Sequence, residues 1–68
     1  MNLTITVNGT EVTAAAAATV GRLLENRAIN PDHVVVEING TIIRREDYDT
    51  CTITDGDRIE MLRFVGGG

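Results

Sequence analysis

The sequence predicts an α+β fold, a roll in which one helix packs across a small mixed sheet of four to five strands. Three observations predict it: alternating apolar and polar residues near the start, one stretch with helical spacing, and two Asn-Gly dipeptides between strand-like segments. With 68 residues the chain forms one domain at most, with a core of marginal size. A substrate-sized cavity lined by several elements is therefore not expected.

The first element is a β-hairpin. Apolar residues alternate with polar ones over residues 3–7, which is the period of a half-buried strand. Asn8-Gly9 follows, and this dipeptide suits a type I′ turn because both central positions of that turn need a positive φ. The return strand begins at Thr10 and includes Val12.

The next segment contains the helix. Ala14–Ala18 is ambiguous, because alanine favours helix but supplies no amphipathic face to hold one. Thr19 is the better start, as an N-cap residue. The apolar residues that follow lie at helical spacing on one face: Val20, Leu23 and Leu24. Pro31 limits the other end, so the predicted helix covers residues 20–28.

The second half of the chain is mostly β. The β-branched run Val34–Ile38 predicts a central strand, which Asn39-Gly40 connects to a short strand at Thr41–Ile43. The polar segment Arg44–Thr50 predicts one helical turn. Asp55-Gly56-Asp57 is a third turn signal, placed just before the last strand.

The last strand, predicted over Arg58–Val65, has apolar residues on both faces. Ile59 and Met61 share one face and are expected in the core, whereas Leu62 and Phe64 point to the opposite face. That face should be solvated in a sheet covered by one helix. Leu62 and Phe64 therefore predict an interaction surface. In the alternative, Phe64 folds over the sheet edge and closes the core.

The sequence ends in three glycines, which divide it into a domain over residues 1–65 and a tail, Gly66-Gly67-Gly68. Glycine populates both signs of φ, so we expect the tail to be flexible. Fully extended, three residues reach about 10 Å. A segment without side chains can bring the carboxylate of Gly68 into a channel that is too narrow for residues with side chains. The alternative is a frayed terminus without a role.

The composition argues against nucleic acid as a partner. The chain has ten acidic and six basic side chains, a net charge of −4, and all its basic residues are arginine. Nucleic-acid recognition begins with neutralising phosphates, and only Tyr48 and Phe64 could stack on bases. Because lysine is absent, no side-chain ammonium is available for an isopeptide bond.

The cellular setting follows from cysteine content and hydropathy. Cys51 is the only cysteine, so the core has no disulfide, and we expect a reducing, cytoplasmic environment. No segment approaches the roughly 18 apolar residues of a membrane span. Residues 1–9 lack the basic start of a signal peptide. We therefore expect no association with membranes.

Several polar residues invite a catalytic or metal-binding interpretation that their neighbours do not support. Cys51 has no adjacent basic residue to activate its thiol and is expected to be half-buried. His33 has no second soft ligand nearby, so a strand-entry position is favoured over a zinc site. Asp55 and Asp57 are interpreted as turn residues. The remaining acids of this region are expected to be solvated: Glu46, Asp47 and Asp49. Without a convergent set of groups, an enzyme is the least supported class.

Motifs along the whole chain resemble the ThiS family, the sulfur carriers of thiamine biosynthesis, which have a ubiquitin-like β-grasp fold. The residues that carry the resemblance are Val7-Asn8-Gly9, Thr19-Val20 with Leu23-Leu24, Val36–Gly40, Asp55–Ile59 and Val65–Gly68. Each motif alone is common. Their order and spacing over 68 residues, with a diglycine at the end, are more specific.

The resemblance implies a mechanism. A ubiquitin-activating-like adenylyltransferase uses ATP to adenylate the carboxylate of Gly68, and sulfur from a persulfide protein displaces AMP to leave a thiocarboxylate. Thiazole synthase then receives the sulfur. The protein is thus a co-substrate that binds no cofactor itself and is not an enzyme. Gly67 and Gly68 match the family's terminal diglycine, and Gly66 is an extra glycine that lengthens the tail. Gly66 and Gly67 are thus expected to bind partners, and Leu62 and Phe64 fall where such carriers present an apolar surface to partners.

Two other functions remain open at this point. One has the same chemistry: the small subunit of molybdopterin synthase, or a β-grasp sulfur carrier for cysteine synthesis or tRNA thiolation. The other is a β-grasp interaction module without chemistry, in which the glycines are incidental. The short length favours the thiazole pathway over molybdopterin synthase, whose small subunits tend to be longer.

Overall fold

The fold is seen in a computed structural model, which describes residues 2–64. Its regular elements are β1 (Asn2–Val7), β2 (Thr10–Ala15), α1 (Val20–Asn26), β3 (Val34–Ile38), β4 (Thr41–Ile43) and β5 (Arg58–Arg63). Short 3₁₀ helices at Pro31–His33 and Arg45–Asp47 flank the β3–β4 hairpin. The strands form one sheet in the order β2-β1-β5-β3-β4, with β1 and β5 parallel and the other pairs antiparallel. The predicted mixed sheet with one helix is confirmed.

Both Asn-Gly dipeptides form the predicted two-residue turns. Asn8 and Gly9 have φ values of 51° and 82°, and Asn39 and Gly40 have 52° and 87°. These left-handed conformations match the right-handed twist of the flanking strands. The turns fix the hairpin registers, in which residue 7 lies opposite 10 and residue 38 opposite 41.

The alanine run is a strand that ends in a turn. Ala14 and Ala15 belong to β2 and lie opposite residues 3 and 2 of β1. The chain then turns, with Ala17 at φ 66°, and the N–H of Ala18 donates to the carbonyl of Ala15 at 3.2 Å. Cross-strand pairing satisfies the backbone here, whereas a helix of alanine would have no apolar face to bury.

Helix α1 begins as predicted. The hydroxyl oxygen of Thr19 accepts a hydrogen bond from the N–H of Arg22 at 3.1 Å, so Thr19 is the N-cap. The three apolar residues of the predicted face are all buried against the sheet: Val20, Leu23 and Leu24.

Helix α1 ends before residue 28, so the predicted end is wrong. Ala28 adopts a left-handed conformation with φ 55°. Its N–H donates to the carbonyl of Glu25, and the N–H of Ile29 donates to that of Leu24, at 3.1 and 2.9 Å. These two bonds form a Schellman motif, which closes the helix without proline. Pro31 instead starts the first 3₁₀ helix.

The core lies between α1 and one face of the sheet. Its buried apolar side chains come from the strands, the helix and the loop before β5: Ile5, Val7, Val20, Leu23, Leu24, Val34, Val36, Tyr48, Ile53, Ile59 and Met61. Ile59 and Met61 occupy the core face of β5, as predicted. β5 is the middle strand of the sheet, so it has a neighbouring strand on each side.

Candidate functional site

Strand β5 is held on one side by the turn between β1 and β2. Regular pairing of β1 with β5 includes residues 6 and 7 of β1. Beyond it, Oδ1 of Asn8 accepts the N–H of Met61 at 2.7 Å, and Nδ2 donates to the carbonyl of Met61 at 3.1 Å. The side-chain amide of Asn8 thus takes the place of a backbone amide and extends the hydrogen bonding of β5 on this side to Met61.

The start of β5 is held by the other Asn-Gly turn. The backbone N–H of Asn39 donates to the carbonyl of Arg58 at 2.8 Å, and Oδ1 of Asn39 accepts the N–H of Arg58 at 3.0 Å. Nδ2 of Asn39 donates to Oδ1 of Asp57 at 3.0 Å. The side chain of Asn39 thus fixes the start of β5, and that of Asn8 fixes the strand at Met61.

Asp57 and Asp55 are structural residues of the turn before β5. Asp57 is 9% exposed, and its Oδ2 accepts the N–H of Thr54 at 2.8 Å while Oδ1 accepts from Asn39. Oδ1 of Asp55 accepts the N–H of Thr4 at 2.8 Å, which ties this turn to β1. Their interpretation as turn residues is confirmed, and each has a partner that sequence reasoning did not identify.

The face of the sheet opposite α1 carries large apolar side chains. Leu62 is 69% exposed and Phe64 is 47% exposed, so the structure places both outside the core. Leu62 pairs with Val35 of β3. Paired residues of neighbouring strands lie on the same face. Leu62 and Val35 therefore lie together on the side that the helix does not cover.

Ile42 belongs to the same face and was missed by sequence reasoning. Ile42 pairs with Glu37 of β3, which in turn pairs with Glu60 of β5. Ile42 is 63% exposed. Ile42, Val35 and Phe64 line one shallow depression. We call Ile42, Leu62 and Phe64 the outer apolar surface. The two-residue Asn-Gly turn was the available signal, because it fixes which residue of β4 lies opposite each residue of β3.

Phe64 lies against the start of β3. Its N–H donates to the carbonyl of His33 at 3.0 Å, and the two ring centroids are 6.3 Å apart with a tilt of 54°. Phe64 is 47% exposed and is not among the side chains of the core or those packed against it, so the alternative in which it closes the core is wrong. His33 ends the 3₁₀ helix that leads into β3, as expected for a strand-entry residue.

The predicted site residues of the tail lie outside the described residues. These are Gly66, Gly67 and Gly68, together with Val65, the predicted end of the last strand. Within residues 2–64, β5 ends at Arg63 and Phe64 follows it outside the strand.

The other candidate residues have structural surroundings. Cys51 is half-buried, its N–H donates to the carbonyl of Asp47 at 2.8 Å, and its carbonyl accepts from Val20 at 3.0 Å. The carboxylates of Asp47 and Asp32 form exposed ion pairs with arginine. Among the described residues, no group of three or more histidine, cysteine or acidic side chains could hold a metal ion. No helix in this part of the chain is long and apolar enough to cross a bilayer.

The phenol of Tyr48 is buried in the core. Its hydroxyl donates to the carbonyl of Val34 at 3.1 Å inside the core. Burial raises the pKa of Tyr48 above 10.0, an effect that the positive charge of Arg45, 5.3 Å from the ring centre, partly offsets. The phenol therefore remains neutral at physiological pH and serves packing, not acid–base chemistry.

The comparisons with known proteins agree with this fold. The sequence model of the ThiS family matches residues 5–68. A crystal structure of the thiamine biosynthesis protein ThiS from Geobacter metallireducens is similar over the whole of both chains, with 41% identity and a TM-score of 0.80. The Bacillus subtilis sulfur carrier protein ThiS is 40% identical over 50 residues, which cover 74% of this chain and 76% of that protein.

A larger protein also contains a similar segment. Thiazole synthase of Paramagnetospirillum magneticum is 34% identical over 64 residues, which cover 94% of this chain. The chain spans 20% of the length of that thiazole synthase.

Proposed function

We propose that this chain, which belongs to the ThiS family, is a sulfur carrier protein of thiamine biosynthesis and that the carboxylate of Gly68 is the group that carries the sulfur. The observation that supports this site is the family match, which runs through the terminal glycines. The protein acts as a co-substrate, and its partners supply the catalysis. It binds no cofactor of its own.

The chemistry follows from the reactivity of a carboxylate. An ionised carboxylate resists attack by a nucleophile, so it must first be activated. The carboxylate of Gly68 attacks the α-phosphorus of ATP on a ubiquitin-activating-like adenylyltransferase, and pyrophosphate leaves. The outer sulfur of a donor protein's persulfide then attacks the acyl carbon, and AMP leaves, which joins donor and carrier through an acyl disulfide. A second thiol attacks the donor's sulfur in that bond, so that a disulfide forms on the donor side and the carrier is released. The product is a thiocarboxylate, whose sulfur is a better nucleophile for the next step.

The described residues support this function because they include an exposed apolar surface to which a partner can bind. Leu62 and Phe64 are exposed on the strand that leads into the tail, and Ile42 enlarges their surface. A partner that covers the outer apolar surface lies next to the start of the tail. Gly66 and Gly67 then pass through a channel that excludes side chains and place Gly68 at the reacting atoms.

Thiazole synthase is the proposed acceptor of the sulfur. The Paramagnetospirillum magneticum relative joins a similar segment to a thiazole synthase in one chain, which supports a working contact between the two proteins. The adenylyltransferase and the persulfide donor are proposed from the chemistry that the carboxylate requires.

Intact mass spectrometry tests the carrier chemistry. The protein, coexpressed with its adenylyltransferase and a sulfur source, should gain about 16 Da as sulfur replaces oxygen. A variant that lacks Gly67-Gly68 is the control and should not change in mass. An unchanged mass of the full chain, together with an intact pathway in the truncated variant, would contradict the proposal and favour an interaction module.

A rescue assay tests the pathway. The gene should restore growth without thiamine to a bacterial strain that lacks its own thiazole sulfur carrier. It should not restore a strain that lacks the small subunit of molybdopterin synthase. The opposite pattern would assign the carrier chemistry to the other pathway.

A further inference from the structure

Helix α1 and strand β5 bring two arginines together beside the start of the tail. Arg27 is the C-cap of α1, and Arg63 is the last residue of β5. Alternation along β5 places Arg63 on the same face as Met61, which is the helix side. Both arginines are exposed and line one depression, whose other lining residues are Val7, Asn8, Ile29 and Met61.

These arginines differ from most of the others in lacking an acidic partner. Arg22, Arg44 and Arg45 form ion pairs with nearby carboxylates, at 2.8 to 3.6 Å. Within residues 2–64, Arg27 and Arg63 form no ion pair within 4.0 Å. The same holds for Arg58, at the other end of β5 and on its other face. An apolar floor with two unpaired guanidinium groups at its rim suits carboxylate side chains of another protein.

The position of this pair relates it to the enzyme that acts on Gly68. Gly68 lies five positions after Arg63 in the chain, so covalent geometry limits the distance between them to about 17 Å. Any active site that receives Gly68 must have its entrance within that distance of Arg63. The activating enzyme must also bring the carboxylate of Gly68 next to the phosphates of ATP, and these negative charges repel each other. The carrier as a whole has a net charge of −4, which adds to the repulsion. Positive charge at the base of the tail opposes this repulsion and orients the encounter.

We propose that Arg27 and Arg63 form a cationic docking site that pairs with acidic side chains at the active-site entrance of the adenylyltransferase. The site lies on the helix side of β5, whereas the outer apolar surface lies on the opposite face. The docking site and the outer apolar surface thus lie on opposite faces of β5. This inference rests on the proposed function, because it takes Gly68 as the residue that is activated.

Charge reversal tests the docking site. Carrier-dependent exchange between ATP and pyrophosphate, catalysed by the adenylyltransferase, yields KM and kcat for the full chain. Arg63→Glu should raise KM about tenfold at low ionic strength with kcat within about twofold, because complementary charge acts on the encounter. Arg27→Glu should have the same effect, and Arg63→Gln a smaller one. The ratio of the KM of each charge-reversal variant to that of the unaltered protein should fall as salt is added.

Arg58→Glu is the matched control, because it makes the same charge change on the same strand, about 17 Å from Arg63. It should alter KM by less than about twofold. Thermal unfolding of each variant shows whether the fold is retained, and Arg27→Glu provides a second variant outside the sheet. Equal effects of Arg63→Glu and Arg58→Glu, or an effect that salt does not weaken, would overturn the docking site.

Two further outcomes separate this inference from the proposed function. If the unaltered protein supports exchange and the Arg27 and Arg63 variants match it, the docking site is wrong and the carrier function stands. If those variants weaken binding to thiazole synthase alone, the assigned partner is wrong. If the unaltered protein supports no exchange, both proposals fail.

Discussion

The side chain of Asn39 donates from Nδ2 to Oδ1 of Asp57 at 3.0 Å, and so joins two turns that are 18 residues apart. One turn connects β3 to β4, and the other precedes β5. Asp57 is buried and also accepts the N–H of Thr54. This contact fixes where β5 begins, and with it the position of the residues that lead to the tail.

Asp57→Ala should therefore destabilise the fold strongly. It removes the buried carboxylate that accepts two part-buried hydrogen bonds, from the side chain of Asn39 and the N–H of Thr54, at a cost of about 3 kcal/mol. Asp55→Ala removes one exposed hydrogen bond, to Thr4, and should cost about 1 kcal/mol. Urea unfolding of both variants measures the difference. Equal losses would show that the buried acceptor has no special role.

Ala28→Gly should stabilise the protein by about 0.5–1 kcal/mol. Ala28 has a left-handed φ of 55° at the end of α1, where glycine avoids the clash of Cβ with the backbone. Ala16→Gly is the matched control, because Ala16 is also exposed but is not among the residues with positive φ. It should have no stabilising effect in the same urea titration. A loss of stability in Ala28→Gly would contradict the strain argument.

Leu62→Asp and Phe64→Asp should leave the fold intact and weaken partner binding. Both side chains are exposed, so the expected change in unfolding free energy is within about 1 kcal/mol. Ile42→Asp should behave in the same way. Dissociation constants for the adenylyltransferase and for thiazole synthase should rise about tenfold for at least one of these partners.

Met61→Asp is the contrasting variant for this surface. Met61 neighbours Leu62 but is buried in the core, so an aspartate there should unfold the domain. Unfolding by Leu62→Asp as well would show that the outer apolar surface belongs to the core. Unchanged affinity for both partners would remove its proposed binding role.

Stability should fall as the pH rises through about 10. The pKa of Tyr48 is raised in the folded state, so the unfolded chain loses its phenolic proton first, and its ionisation favours unfolding. Lysine, which usually titrates in the same range, is absent from the sequence. Urea unfolding across this range measures the decline, and the absorbance of tyrosinate assigns it because Tyr48 is the only tyrosine.

Tyr48→Phe provides the control for this pH dependence. It removes the ionisation and the hydrogen bond to Val34, so it should cost about 1 kcal/mol at neutral pH and make the alkaline decline shallower. An equally steep decline in Tyr48→Phe would mean that another group is responsible.

Features that depend on neighbouring residues could be predicted from the sequence. The Asn8-Gly9 and Asn39-Gly40 turns follow from the φ values that a two-residue hairpin requires, and Thr19 follows from the need to cap the first N–H groups of a helix. The end of α1 could not be predicted from Pro31, because a left-handed Ala28 closes the helix earlier. Alanine carries no local signal for that conformation.

The sequence by itself determined the class of fold and the resemblance to the ThiS family, because alternation and turn residues act over a few positions. It favoured exposed positions for Leu62 and Phe64 but left open that Phe64 closes the core, which the structure decided. Only the tertiary structure decided which distant residues meet. It pairs Asn8 with Met61 and brings Arg27 to Arg63, because the sheet inserts the last strand between the first and the third. Contacts across the sheet depend on strand order, which no local pattern encodes.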